Sequence, residues 1–238
     1  RIKGFKGEKP TDNPNAYEAY LKGRFYWNQF TADSLPKAIE CFQRAVELDP
    51  NFALAHVGVA DFYIWANIYG LIPPQESYKL AEDSVKKALA IDDKLGEAYT
   101  TYGLIKQNKF DWVESERLHL KSIELNPNYP HVYEWYSAIL IGSGKFAEGI
   151  REVEIAESLD PLSLRTKTLV AWTKSQAHDF EASFAKAEEI IALDSNYPQG
   201  HLQKGHALFK FGRNEEAIQS VEKALALMPA SDLVKYFY

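Results

Sequence analysis

The chain has 238 residues, 46% hydrophobic and 25% charged, the balance of a folded globular protein rather than a disordered one. Lysine and arginine total 27 against 33 acidic residues, a net charge of −6 that argues against a general binder of nucleic acid or of anionic membranes. One cysteine, Cys41, excludes an internal disulfide framework, and no apolar run reaches the roughly 18 residues that span a bilayer.

Residues 1–14, RIKGFKGEKPTDNP, are basic and rich in Gly and Pro. They read as a linker, with a first helix starting at Asn13 to Asn15. A repeat follows. Pro127, Pro161, Ser195 and Pro229 are spaced by 34 residues, Asp93 lies 34 before Pro127, and Pro50 lies 43 before Asp93. The boundaries give units 15–50, 51–93, 94–127, 128–161, 162–195 and 196–229, the second carrying nine extra residues. Each unit holds two helical patterns joined by a polar turn. That turn falls at Phe110-Asp111, Gly144-Lys145, His178-Asp179 and Gly212-Arg213 in the last four units, and is longer in the first two, at Thr31 to Pro36 and Gly70 to Glu76. The 65–80 insert carries apolar Ile68, Tyr69, Leu71 and Ile72. It reads either as packing on the first unit or as a lip beside a binding face. Residues 230–238 read as the start of a capping or seventh first helix, cut short.

Small residues recur in three columns. The first is Gly23, Ala60, Gly103, Ser137, Ala171 and Gly205; the second is Ala38, Ala81, Ser115, Gly149, Ser183 and Ala217; the third is Ala45, Ala88, Ser122, Ala156, Ile190 and Ala224. Seventeen of these 18 positions are Ala, Gly or Ser, where about four would arise by chance, so the register is real. Small side chains at fixed places let the two helices of a hairpin cross closely.

With an aromatic three residues beyond the first small position (Tyr26, Tyr63) and Pro closing most units, this pattern resembles the tetratricopeptide repeat. Lys106, Leu140, Lys174 and Leu208 depart at the aromatic place, and Ile190 and Ser195 depart in the fifth unit, which is expected to pack less regularly. The resemblance implies an all-α, right-handed superhelix of six hairpins, with an inner groove lined by the first helices. The opening NPNAYEAYLKGRFYWNQFT is also similar, through Asn13, Ala16, Tyr17, Tyr20, Leu21, Gly23 and Trp27, to arrays that follow bacterial winged-helix regulators, nucleotide cyclases and protein kinases. It implies a longer parent with an effector domain upstream, which a chain opening on Arg1 also suggests.

No constellation in the chain calls for catalysis. GSGK at 142–145 lacks the full phosphate-loop spacing and sits at a turn where Gly stops a helix. The six histidines show no metal-ligand spacing, and His119 reads as packed. Cys41 reads as a buried, inert thiol. Glu215-Glu216 suits the first turn of a helix. No cofactor and no metal is expected.

By the register of the resembled family, the groove-facing side chains are Tyr17, Tyr20, Arg24 and Trp27 in the first unit and Asp61 and Trp65 in the second. They continue with Thr100, Gln107 and Asn108 in the third unit, then His131, Glu134 and Trp135 in the fourth. Arg165, Trp172 and Gln176 follow in the fifth, and His206 and Phe209 in the sixth. Aromatics mixed with Arg, His, Gln and Asn are what binding surfaces favour. The lysine-and-asparagine clamp that some relatives use for chaperone tails is absent, because Tyr20, Arg24, Val57, Asp61, Thr100 and Leu104 hold those places. The expectation is a non-catalytic module binding a peptide or protein segment, as the regulatory part of a bacterial signalling or transcription-regulating protein. The alternative is a free-standing adaptor or a self-assembly scaffold, with weak self-association through Leu233, Tyr236, Phe237 and Tyr238. No contact with nucleic acid or membrane is expected of this fragment. A cytoplasmic setting is expected, or a periplasmic one if the parent is anchored upstream.

Overall fold

A computed structural model of the protein describes residues 10–29, 33–66 and 71–228. Among them are twelve α-helices in six successive hairpins: α1 (Pro14–Gln29) with α2 (Ser34–Leu48), α3 (Ala53–Ala66) with α4 (Pro74–Ile91), α5 (Gly96–Asn108) with α6 (Trp112–Leu125), α7 (Pro130–Gly142) with α8 (Phe146–Leu159), α9 (Leu164–Gln176) with α10 (Phe180–Leu193), and α11 (Pro198–Lys210) with α12 (Asn214–Leu227). The fold is an all-α solenoid. The chain divides into two compact units, residues 1–128 and 129–238. Phe30 to Ala32, Asn67 to Gly70 and the 230–238 segment, with its four apolar side chains, lie outside the described residues, as do residues 1–9 of the expected linker.

Within each hairpin the small columns are the crossing points. The Ser115 hydroxyl donates to the Gly103 carbonyl at 2.8 Å, and the Ser137 hydroxyl to the Gly149 carbonyl at 2.7 Å. A hydroxyl can reach across to the opposite backbone only where neither residue carries a larger side chain. The third column closes each hairpin. Backbone N–H groups of Asp49, Asp92, Asn126, Asp160 and Asp194 donate to carbonyls of Ala45, Ala88, Ser122, Ala156 and Ile190. The Pro, Asp or Ser at the next position then starts the bend into the following hairpin.

The turn between paired helices is conserved in geometry though not in residue type. Phe110, Gly144, His178 and Gly212, each 34 residues apart, all take positive φ, of 62°, 78°, 62° and 75°. In each the residue after it donates back to a carbonyl five residues earlier, as Asp111 N–H does to Lys106 at 2.9 Å and Lys145 N–H to Leu140 at 2.8 Å. This left-handed stop satisfies carbonyls that a helix end leaves unpaired. Gly144 is the third residue of GSGK, so that motif is a helix stop, as its position implies.

In the first unit, Phe42 on α2 is wedged between α1 and α3; a Cβ on Gly23 or Gly58 would come within 2.6 Å and 2.7 Å of its ring. Leu35, Ile39, Val59 and Phe62 complete that core, with Ile72 from the insert packed against it and Leu71 exposed. The nine extra residues are spent on a longer connection and on α4, which at 18 residues exceeds the 14 of α6. Asn13 caps α1, its carboxamide oxygen accepting from Asn15 and Ala16 N–H at 3.0 and 3.2 Å. Its amide nitrogen reaches the Leu48 carbonyl at 2.8 Å, and the Thr11 hydroxyl donates to Asp49. Residues 11–13 are therefore fastened to the end of α2.

The two helices of the fifth hairpin pack against each other less extensively than those of the other five, in line with the departures at Ile190 and Ser195. Ile190 itself is fully buried, because Gly200 on α11 makes room for it: a Cβ at Gly200 would lie 2.8 Å from Ile190 Cγ2. Val132 and Thr166 stand at the matching place of other units. Cys41 is half-buried rather than buried, and burial raises its thiol pKa.

Candidate functional site

The second unit gathers four of the predicted residues into one cluster on its first helices. His131, Glu134 and Trp135 lie on α7 at positions i, i+3 and i+4, hence on one face, and Arg165 lies in the first turn of α9. Glu134 is 2% exposed. Its carboxylate accepts from Arg165 Nη1 at 2.6 Å and from the Thr166 hydroxyl at 2.7 Å, with His131 Nδ1 at 2.7 Å. Arg165 Nη1 also lies 2.8 Å from His131 Nδ1, so that one nitrogen serves either the carboxylate or the guanidinium. Burial alone would raise the Glu134 pKa, but the His131 hydrogen bond and the Arg165 charge outweigh it and hold the carboxyl down at about 2. The Arg165 guanidinium lies 5.7 Å from the Trp135 ring centroid, in cation–π range. Glu134 is thus a buried anchor, and what faces solvent is the Arg165 edge with the half-buried Trp135 and His131.

Beside this cluster α7, α9 and α11 form a trough of about 460 Å³. Three predicted residues line it: Trp172 and Gln176 on α9 and His206 on α11. Sequence reasoning missed its other walls, Ile141 and Phe146 at the α7–α8 turn, His178 and Phe180 at the α9–α10 turn, and Lys210 at the end of α11. The signal for them was present. Phe146 and Phe180 are 34 apart and each opens a second helix, and His178 occupies the left-handed stop. His206 Nδ1 lies 3.0 Å from the Ser175 hydroxyl, and burial together with the Lys210 charge lowers its pKa. Phe209, one turn from His206, is 61% exposed.

The first unit does not present its predicted residues so openly. Tyr20 packs in the core, 5.0 Å from Phe52 and 5.9 Å from Phe42 between ring centroids, and burial raises its pKa. Tyr17 and Trp27 are half-buried against the same clusters. Arg24, Asp61 and Trp65 are half-buried, and Asp61 accepts the Thr101 hydroxyl at 2.7 Å. Thr100 is a correction. It is 2% exposed and its hydroxyl meets Ser122 at 2.8 Å, so it faces its own second helix rather than a groove. Gln107 is half-buried with its carboxamide oxygen unpartnered, and Asn108 is exposed, its side chain donating to the Leu104 carbonyl at 2.9 Å. No group of three or more metal-ligating side chains occurs among the described residues, and no helix there is long and apolar enough to cross a membrane.

The model of the tetratricopeptide repeat matches residues 19–52 and 198–231, the first and last hairpins. The structure of PilF from Pseudomonas aeruginosa superposes with a TM-score of 0.60 at 18% identity, covering 95% of this chain and 97% of that one. The first and last hairpins are tetratricopeptide repeats, set in an all-α solenoid of the same fold as PilF. Another solved member, YrrB, described as having an unusual peptide-binding site, superposes with a TM-score of 0.52 at 14% identity, covering 84% of this chain and 98% of its own. The transcriptional regulator HilA of Salmonella typhimurium is 24% identical over 184 residues, which is 77% of this repeat array and 32% of HilA. The array thus spans about a third of that relative's length. The tetratricopeptide repeat is a protein-interaction fold.

Proposed function

We propose that the array is a non-catalytic module that captures a peptide or protein segment on the first-helix face of its second unit, and that it serves as the regulatory part of a larger bacterial protein. The observation that carries this reading is the run of accessible aromatic and polar side chains across α7, α9 and α11, from Arg165 and Trp135 to Trp172, His206 and Phe209. Aromatic rings bury much area for little lost side-chain freedom, which makes them efficient anchors. The similarity to HilA, named as a transcriptional regulator, supports the regulatory setting, and the peptide-binding description of YrrB supports the mode of capture.

The test is affinity capture from source cells, with the bound protein identified by mass spectrometry, using the wild type and a Trp172→Ala/Phe209→Ala double variant. Arg165→Glu is a poor probe, because it would set a second carboxylate against buried Glu134. Loss of one specific protein from the variant is the expected result. Unchanged capture by a variant with native helicity would refute the placement.

A further inference from the structure

The trough has a distinct chemical character of its own. None of its eleven lining residues is acidic, in a chain where acids outnumber bases 33 to 27. Its floor is apolar, from Trp172, Phe146 and Ile141, and its rim is basic or imidazole, from His178, His206 and Lys210. Neighbouring cations on α9 and α11 are each matched by a carboxylate: Arg165 by Glu134, Lys174 by Glu154 at 2.8 Å, Lys204 by Glu188 at 2.7 Å. Lys210 is placed differently. Its ammonium lies over the Phe180 ring, 5.7 Å from the centroid, at the edge of the trough. His178 holds φ at 62°, where the next and previous hairpins in the unit use Gly212 and Gly144. Phe110 takes the same conformation in the first unit, and at His178 it sets an imidazole on the trough wall.

We propose that this trough takes an acidic peptide segment bearing one large apolar or aromatic side chain, the side chain seated on Trp172, Phe146 and Ile141 and the flanking carboxylates meeting Lys210, His206 and His178. The inference rests on the groove reading above and narrows it to a ligand class. The volume suits one large side chain with its neighbours. The exposed rim, with Gly142, His178 and Lys210 open to solvent, cannot enclose a free small molecule, whereas a chain passing over it needs only to insert one residue.

The test uses fluorescein-labelled, end-capped short peptides and the whole protein, read by anisotropy. One peptide places a Trp between two pairs of Glu; the others replace Glu by Gln or by Lys; a short oligothymidylate is the nucleic-acid arm. The acidic peptide is expected to bind about ten-fold more tightly than the Gln peptide, with the advantage shrinking as salt rises, and the Lys peptide least of all. Lys210→Glu, an exposed change checked by circular dichroism, is expected to lower affinity for the acidic peptide about ten-fold. Equal or tighter binding of the Gln or Lys peptide would overturn the acidic class and leave the groove reading standing. Tighter binding of the oligonucleotide would overturn the peptide class. No effect of Lys210→Glu would put the site elsewhere. Binding of no peptide of any charge would overturn the groove reading itself.

Discussion

His119 stands on α6 where Phe42 stands on α2, and each ring lies against a glycine of the first helix, Gly103 and Gly23. The imidazole is fully buried, its Nδ1 2.7 Å from the Ser115 carbonyl and its Nε2 without a partner. Burial drives its pKa down from 6.5 to about 4. The unfolded chain therefore takes up this proton before the native one does. The native state keeps its full stability above about pH 6.5 and loses it as the pH falls towards 4. A gap of that size corresponds to about 3 kcal/mol at pH 4 and about 2 kcal/mol at pH 5. Replacing His119 by Phe puts in the ring that the first hairpin already accommodates against a glycine. It removes both the buried unpartnered nitrogen and the titration. Urea unfolding of wild type and His119→Phe at pH 7.5, 6, 5 and 4.5, followed by far-ultraviolet circular dichroism, measures the difference. The stability gap is predicted to widen in favour of the variant by about 2 kcal/mol between pH 7.5 and 5. Parallel pH profiles for the two proteins would refute the reasoning, because they would mean that His119 is solvated or already charged in the native state.

Phe110→Gly and His178→Gly relieve side chains at positive φ and are predicted to raise stability by about 0.5–1 kcal/mol each in thermal unfolding, while Gly144→Ala lowers it by a similar amount. Gly200→Ala drives a methyl group into Ile190 and is expected to cost about 1–3 kcal/mol. Adding Ile190→Val should recover part of that loss, a coupling that a double-mutant cycle measures. Glu134→Gln keeps an acceptor for Thr166 but removes the charge facing Arg165 and His131, with a predicted loss of about 1–3 kcal/mol at neutral pH. Because the native pKa is about 2, that wild-type advantage should persist above pH 4.5 and disappear as the pH falls towards 2.

The architecture was legible because it is written in spacing. The small columns named the helix crossings, and the 34-residue recurrence placed all four left-handed stops, Phe110 and His178 included, although neither is a residue that advertises such a turn. The face was legible only as a stripe. The 34-residue register puts Thr100 and Glu134 at the same place of successive units, but does not say that Ser122 reaches over to cover Thr100, or that Arg165 and Thr166 arrive to bury Glu134. Those contacts join residues 22 to 32 positions apart and depend on how closely adjacent helices approach. The trough walls were missed for a related reason. Ile141, Phe146, His178 and Phe180 sit at turns and helix starts, outside the first-helix stripe, and enter the site because the tight hairpin brings each turn beside its own first helix. Ile190 shows the same limit from inside the core, since its fit depends on Gly200 of the next hairpin.

The most direct measurement selects displayed random peptides against the protein and maps hydrogen exchange with a selected peptide bound. The account predicts slowed exchange on α9 and α11 and at the α9–α10 turn, abolished by Trp172→Ala/Phe209→Ala. Protection confined to the second helices α8, α10 and α12 would contradict it.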